Sequence, residues 1–149
     1  MTSFLVKTAM AGAFALPVIV GLSAPAQAET NPYCSSGVTQ IGTTAYVTSG
    51  GQTFASVKQF KGCNKNWSYL YVWQGWRDTH SSWDACTSVT TRSGSTTTIQ
   101  DVRCNSGRFS ELWSQGASTL SLCTRALGWK GYGPWPDSDD PKASTSERC

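Results

Sequence analysis

Six cysteines, all of them after residue 33, constrain the fold of this chain more than any other feature of its sequence. An even number of cysteines in an exported chain favours a framework of disulfide bonds. Several pairings are open, and the spacing does not choose among them. Cys149 has one further alternative, a bond to a partner chain. We predict three disulfide bonds that use Cys34, Cys63, Cys86, Cys104, Cys123 and Cys149.

Export is predicted by the first 28 residues. A basic residue precedes an apolar run over residues 9–22, and Ala26-Gln27-Ala28 supplies the small residues that signal peptidase accepts. The alternative is a membrane anchor, but a spanning helix needs about 20 apolar residues, and Pro17 and Pro25 interrupt this segment. We expect residues 1–28 to be a signal peptide cleaved after Ala28, and the protein to be secreted, extracellular and not attached to a membrane.

The residues after the leader favour β-strands. Thr, Val, Tyr and Trp alternate in short runs, and turns rich in Gly, Ser and Asn separate the runs. A short run at 109–113 suits either a strand or a helical turn. The predicted fold for residues 29–127 is all-β, a single compact antiparallel sandwich or small barrel stapled by disulfides. The other strands are predicted at 38–48, 52–60, 67–76, 85–91, 96–104 and 118–127.

The third predicted strand has large side chains on both of its faces, because residues alternate across a strand. One interpretation places the four aromatic residues in the core, since aromatic side chains dominate core energetics. The other places Leu70 and Val72 in the core, with Ala55 and Val57 from the second strand. The aromatic residues then form an exposed ladder that binds a protein partner or a glycan. The four residues are Trp67, Tyr69, Tyr71 and Trp73.

Residues 128–149 show no periodicity and are rich in Gly, Pro and acidic residues. We predict that they form an irregular C-terminal tail. Trp129, Tyr132 and Trp135 are spaced along it, which is typical of a peptide that docks onto a partner. The alternative is that these side chains pack back onto the β domain, with Cys149 closing the tail into a loop.

Charge and composition argue against several classes of ligand. Residues 33–133 carry nine Lys and Arg against four Asp and Glu, a net charge of +5, and residues 134–149 carry two against four, a net charge of −2. The positive charge could attract an acidic partner, but it lacks the dense Lys and Arg stripe of a nucleic-acid binder. A single histidine and the absence of a C-x-x-C pair argue against a metal. We expect no metal, cofactor or nucleic acid.

The sequence offers no convincing active site. His80 lies in a polar segment with Asp78 and Asp84, but no G-x-S-x-G context surrounds any serine. Glycoside hydrolysis needs two carboxylates about 5–10 Å apart, and nothing in the sequence pairs the few acidic residues. We therefore predict that the protein is not an enzyme and has no catalytic residues.

Residues 55–73 combine a strand, a cysteine turn and an aromatic strand, in the pattern V-x-x-F-x-x-C-x-x-x-W. This pattern resembles small secreted actinobacterial β-domains, and in particular the bridging subunit of the umbrella toxin particles of streptomycetes. Residues 77–86, 111–114 and 119–124 and the final cysteine strengthen the resemblance. It implies a non-enzymatic adaptor that joins a lectin-bearing subunit, built on a degenerate trypsin-like domain, to a large repeat-containing toxin used against other bacteria.

Three functions of different classes remain open from the sequence. The leading hypothesis is a secreted adaptor that binds other proteins. The second is an inhibitor of an extracellular hydrolase, which would present one rigid, disulfide-braced loop. The third is a carbohydrate or cell-wall binding module, which would present flat exposed Trp or Tyr rings.

Overall fold

Two four-stranded antiparallel sheets make up the fold. The computed structural model describes residues 29–149, so the predicted signal peptide lies outside the described residues. Within this part of the chain, no helix has the length and apolar character needed to cross a membrane. The elements are β1 Thr39–Ser49, β2 Gln52–Gly62, β3 Lys65–Val72, α1 Gln74–Thr79, β4 Trp83–Ser93, β5 Thr96–Gly107, β6 Glu111–Trp113, β7 Cys123–Lys130 and β8 Lys142–Ser144.

The strand order is β1-β2-β3-β6 in the first sheet and β5-β4-β7-β8 in the second. Tight turns join neighbouring strands. Gly50 and Gly51 both have positive φ between β1 and β2, and Cys63 and Asn64 both have positive φ between β2 and β3. Two-residue turns of this kind match the right-handed twist of the strands that they connect. The sheets are not closed into a barrel, which confirms the all-β prediction in its sandwich form.

The main core lies between the two sheets. It contains Val57 and Leu70 from the first sheet and Ala85 and Ala126 from the second, all of them fully buried. Gly128 faces this core, and a Cβ atom there would approach Val57 to 2.6 Å. The sheets therefore pack so closely at this point that only glycine fits.

A buried polar network joins the sheets beside the apolar core. The Gln59 side-chain amide donates to the hydroxyl of Thr124 at 2.6 Å. The Thr145 hydroxyl donates to the other end of that amide at 3.4 Å. The hydroxyls of Ser68 and Thr87 lie 2.5 Å apart. These bonds satisfy polar groups that would otherwise be costly to bury, and they bring the C-terminal residues into the core.

A second aromatic cluster covers the outer face of the first sheet. Phe60, Trp67, Tyr69 and Trp113 pack there with Cys34, and all five are buried. The N-terminal residues reach this face because a disulfide bond ties Cys34 to the turn after β2. Neither of the two predicted arrangements of the aromatic strand is therefore observed in full. Its Leu and Val residues face the core, and part of its aromatic face is buried in a cluster of its own.

The three predicted disulfide bonds are present, and they pair the cysteines in sequence order. Cys34 bonds Cys63, Cys86 bonds Cys104, and Cys123 bonds Cys149. The bond between Cys86 and Cys104 links neighbouring strands β4 and β5. Disulfides of this number are typical of extracellular proteins. Because Cys149 is bonded within the chain, it is not free to bond a partner.

The C-terminal segment differs from the predicted irregular tail. Strand β7 continues to Lys130, β8 pairs with it, and Arg148 forms a further bridge with Thr124. Trp129 is therefore part of a sheet, and the irregular residues are 131–141 and, apart from the bridge at Arg148, 145–149. The predicted start of the tail at residue 128 is wrong, and the segment contains a short strand. Backbone hydrogen bonds hold these short strands in place without the alternating side chains on which the prediction relied.

Two other boundaries also differ from those predicted. The predicted strand 67–76 ends at Val72, and the chain then turns into α1. The predicted strand 118–127 begins only at Cys123, so Leu120 and Leu122 lie in the preceding loop. A helix of six residues is shorter than the window over which a helical period can be read from a sequence.

Candidate functional site

The four aromatic residues of the third predicted strand have different environments. Trp67 and Tyr69 are buried in the outer cluster. Tyr71 is half-buried, and Trp73 is 43 % exposed. Only Tyr71 and Trp73 are therefore available to a ligand, so the predicted ladder is reduced to its C-terminal half.

The three aromatic residues of the predicted tail also differ in how far they are exposed. Trp129 is fully buried. It lies beside Cys86 on the outer face of the second sheet, where the following residues cover it, so it cannot serve as the predicted docking residue. Tyr132 is 70 % exposed and Trp135 is 56 % exposed, and both remain candidates.

The first candidate surface is a groove on the outer face of the first sheet. It has a volume of about 840 Å³. Tyr46, Ser56, Tyr71 and Glu111 are direct neighbours in the register of β1, β2, β3 and β6, so they form one row across the sheet. Ser56 is the smallest of the four and leaves a depression between the two tyrosines. We call this surface the aromatic groove, lined by Tyr46, Ser56, Lys58, Tyr71, Trp73 and Glu111.

Hydrogen bonds hold the side chains around the aromatic groove in place. The Tyr69 hydroxyl donates to Glu111 Oε2 at 2.9 Å. Burial and this hydrogen bond raise the pKa of Tyr69, so the phenol stays neutral and remains a donor. Arg77 Nη2 donates to the Tyr71 hydroxyl at 3.0 Å, and Lys58 forms an ion pair with Glu29. The polar rim of the groove is therefore preorganised.

The second candidate surface is the loop of residues 131–141 between β7 and β8, which we call the aromatic loop. The Gly131 carbonyl oxygen lies 3.3 Å from the sulfur of Cys86. The Gly133 carbonyl oxygen lies 3.5 Å from the sulfur of Cys104. The loop therefore leaves β7, crosses the outer face of the second sheet to β5, and returns to β8. This path explains the complete burial of Trp129.

Internal hydrogen bonds fix the far side of the aromatic loop. The Asp137 backbone N–H donates to the Asp140 carboxylate at 2.9 Å. The Lys142 ammonium donates to the carbonyl oxygens of Asp137 and Ser138, each at 3.0 Å. Tyr132 and Trp135 are therefore presented on a braced loop, with Asp137 and Asp139 exposed beside them.

The third candidate surface is apolar and lies near the start of β7. Leu120 is 46 % exposed and Leu122 is 47 % exposed. They line a cavity of about 650 Å³ together with Ile41, and its charged side chains are Lys61 and Arg148. We call Ile41, Leu120 and Leu122 the leucine patch.

His80, the histidine of the polar segment, packs against helix α1. Its ring stacks on Trp76 at a centroid distance of 3.7 Å. Its Nδ1 atom lies 2.9 Å from the Thr79 hydroxyl and 3.1 Å from the Trp76 carbonyl oxygen. In a Ser–His–Asp triad a carboxylate occupies this position. The contacts of His80 are those of a side chain that packs against the end of α1.

One group of potential metal ligands occurs in residues 29–149, formed by Cys123, Glu147 and Cys149. The two cysteines are bonded to each other, so neither offers the thiolate that a metal needs. Glu147 is engaged with Arg92, at 2.7 Å, and this ion pair lowers the pKa of Glu147. The group is explained by the disulfide and the ion pair.

Comparisons with protein-family models, curated proteins and solved structures find no match. A function is therefore inferred from the three surfaces themselves. Sequence reasoning identified Tyr71, Trp73, Tyr132 and Trp135, but it missed the leucine patch and the β1, β2 and β6 residues of the aromatic groove. The alternation of side chains between the two faces of β1 would have indicated that Tyr46 points outward. Glu111 follows only from the pairing of β3 with β6, which the sequence does not specify.

Proposed function

We propose that this protein is a secreted, non-enzymatic adaptor that holds two protein partners at once. One observation carries the proposal. The aromatic loop and the leucine patch lie at opposite ends of β7, which has eight residues. At about 3.3 Å per residue, the two ends of this strand are roughly 23 Å apart. Two partners could therefore bind without contacting each other.

The two surfaces also differ in charge, which supports two different partners. The aromatic loop carries Asp137, Asp139 and Asp140, whereas Lys61 and Arg148 border the leucine patch. Each surface combines exposed apolar side chains with an excess of one charge, three carboxylates against the Lys142 ammonium in the case of the loop, and such surfaces favour partners of complementary charge. The loop suits a basic partner, and the patch suits an acidic one.

The resemblance to the bridging subunit of umbrella toxin particles gives this proposal its specific form. Its partners would be a lectin-bearing subunit with a degenerate trypsin-like domain and a large repeat-containing toxin, in a particle used against other bacteria. Among the residues that carry the resemblance, 55–73 form most of β2, the cysteine turn and β3, and they include Tyr71 and Trp73 of the aromatic groove. Secretion through the signal peptide 1–28 belongs to the same proposal, and N-terminal sequencing of protein from culture medium, expected to start at Glu29, tests it.

The second candidate function is inhibition of an extracellular hydrolase, and the braced aromatic loop favours it. A loop held by Lys142 and by contacts to a disulfide loses little conformational entropy on entering an enzyme cleft. An inhibitor needs the loop alone, so it would bind one enzyme and would not depend on Leu120 or Leu122.

Affinity capture with matched variants separates these functions. Tagged protein is added to the native culture medium, and the captured chains are identified by mass spectrometry. We expect two partners with the unmodified protein, loss of one with Trp135→Ala, and loss of the other with Leu122→Asp. Both substituted residues are exposed, so the fold should be retained. Capture of one hydrolase that only Trp135→Ala abolishes would replace the adaptor with the inhibitor.

A further inference from the structure

The aromatic groove lies on the outer face of the first sheet, and the proposed adaptor function uses none of the residues that line it. Its floor is Ser56, which is 5 % exposed and lies between Tyr46 and Tyr71 in the row across β1, β2 and β3. Tyr46 is 54 % exposed. The groove is therefore a depression with an aromatic wall on either side of a small polar residue.

Trp73 forms the end of the groove, where β3 leads into α1. Its ring centroid lies 6.3 Å from that of Tyr46, and the two rings are inclined by 52°. The Trp73 backbone N–H donates to the Phe54 carbonyl oxygen at 2.9 Å, which fixes the position of the residue. An exposed indole at this position leaves apolar surface in contact with water, and covering it with a ligand is favourable.

The charged side chains of the groove balance, because two carboxylates, Glu29 and Glu111, face two cations, Lys58 and the Arg77 that donates to the Tyr71 hydroxyl. Lys58 is paired with Glu29, and Glu111 accepts one hydrogen bond from Tyr69. A carboxylate has about four acceptor positions, so each of the two glutamates retains acceptor capacity. The groove thus offers hydrogen-bond acceptors and donors beside aromatic ring faces.

We propose that the aromatic groove binds a neutral oligosaccharide. A sugar ring has an apolar C–H face that can lie on an aromatic ring, and hydroxyl groups around its edge that can bond carboxylates and ammonium groups. Tyr and Trp combine an apolar body with a polar tip and suit such a ligand. The volume of about 840 Å³ lies within the usual range for small-molecule sites, about 300–1,000 Å³.

Other occupants fit the groove less well. An anionic polysaccharide would find no excess of positive charge in the groove, because Lys58 and Arg77 are balanced by the carboxylates of Glu29 and Glu111. An apolar peptide would remove these charged groups from water without replacing their hydrogen bonds. A peptide could not extend the sheet here either, because β2 and β3, which form the floor, are paired on both sides.

Calorimetric titration of the purified protein with defined hexasaccharides tests the proposal. The neutral probes are cellohexaose, xylohexaose, mannohexaose and chitohexaose, and the anionic probe is hexagalacturonate. We expect at least one neutral probe to bind, and hexagalacturonate to bind at least ten-fold more weakly. Trp73→Ala and Tyr46→Ala should each weaken binding of the neutral probe at least ten-fold. Tyr46 is more than half exposed, so its removal leaves the core unchanged.

Trp135→Ala is the matched control, because it removes an exposed tryptophan from the aromatic loop instead of the groove. It should bind the neutral probe with unchanged affinity while losing its protein partner. The proposal is overturned if no neutral probe binds, if hexagalacturonate binds more tightly, or if Trp135→Ala weakens sugar binding as much as Trp73→Ala. Failure of the adaptor function would leave the titration result unchanged, so the two proposals are tested separately.

Discussion

Tyr69 connects the buried cluster on the first sheet with the aromatic groove. Its ring packs on Trp113 at a centroid distance of 4.6 Å, and its hydroxyl reaches Glu111 at the rim. Burial and the Glu111 carboxylate both disfavour the phenolate, and this raises the pKa of the residue. A single side chain therefore contributes packing on one side and a fixed hydrogen bond on the other.

The raised pKa of Tyr69 predicts a pH dependence of stability. The neutral phenol contributes stability that is fully present below the pKa of an unfolded tyrosine, about 10, and is lost as the pH rises towards the folded value. In an alkaline titration followed by ultraviolet absorbance, one of the five tyrosines should ionise only as the protein unfolds. Tyr69→Phe should remove this late component. Reversible ionisation of all five in folded protein would contradict the assignment.

The close packing around Gly128 predicts that a larger side chain at this position lowers the stability of the protein. A Cβ atom there would lie 2.6 Å from one Val57 methyl group and 3.0 Å from Leu70. We expect Gly128→Ala to lower the free energy of unfolding by about 1–3 kcal/mol, measured by chemical denaturation. Gly75→Ala is the control, because this exposed α1 glycine has room for a methyl group, 3.5 Å from Gln52. It should be neutral or stabilise by about 0.5–1 kcal/mol. Equal changes in the free energy of unfolding for the two substitutions would contradict the close packing at Gly128.

At the scale of elements, the sequence predicts long alternating strands well and short elements poorly. The cores of β1, β2, β4 and β5 were all predicted, because alternation and glycine turns extend over many residues. Helix α1 and strand β8 have six and three residues, too few for a period. Backbone bonds to distant residues place the chain at their starts. The Trp73 N–H, just before α1, donates to the Phe54 carbonyl oxygen, and the Lys130 N–H of β7 donates to the Pro141 carbonyl oxygen, just before β8, each at 2.9 Å.

The bond between Cys123 and Cys149 predicts a specific loss of structure when it is removed. It links the start of β7 to the end of the chain beside the bridge between Thr124 and Arg148. Replacing both cysteines with serine should destabilise the protein by about 2–4 kcal/mol. It should also speed hydrogen exchange at the Thr124 and Arg148 amides more than in β2. Unchanged stability and exchange would show that this bond does not hold the C-terminal segment.

At the scale of the whole molecule, the positions of the surfaces follow from topology rather than from local pattern. The aromatic residues Tyr132 and Trp135 were predicted as candidates because they lie in a polar, proline-rich segment. Leu120 and Leu122 were missed because their spacing also suits a strand. The separation of these two surfaces depends on β7 running between them, and strand pairing over such distances is not encoded in a local window of sequence.

The central claim is that one molecule of this protein holds two different protein partners at once. Native mass spectrometry of particles captured from the native culture medium by the tagged protein tests it most directly. The adaptor proposal predicts a particle that contains this chain together with two other chains, and smaller particles when Trp135→Ala or Leu122→Asp is used. Particles that contain this chain with a single partner, or this chain alone, would contradict the proposal.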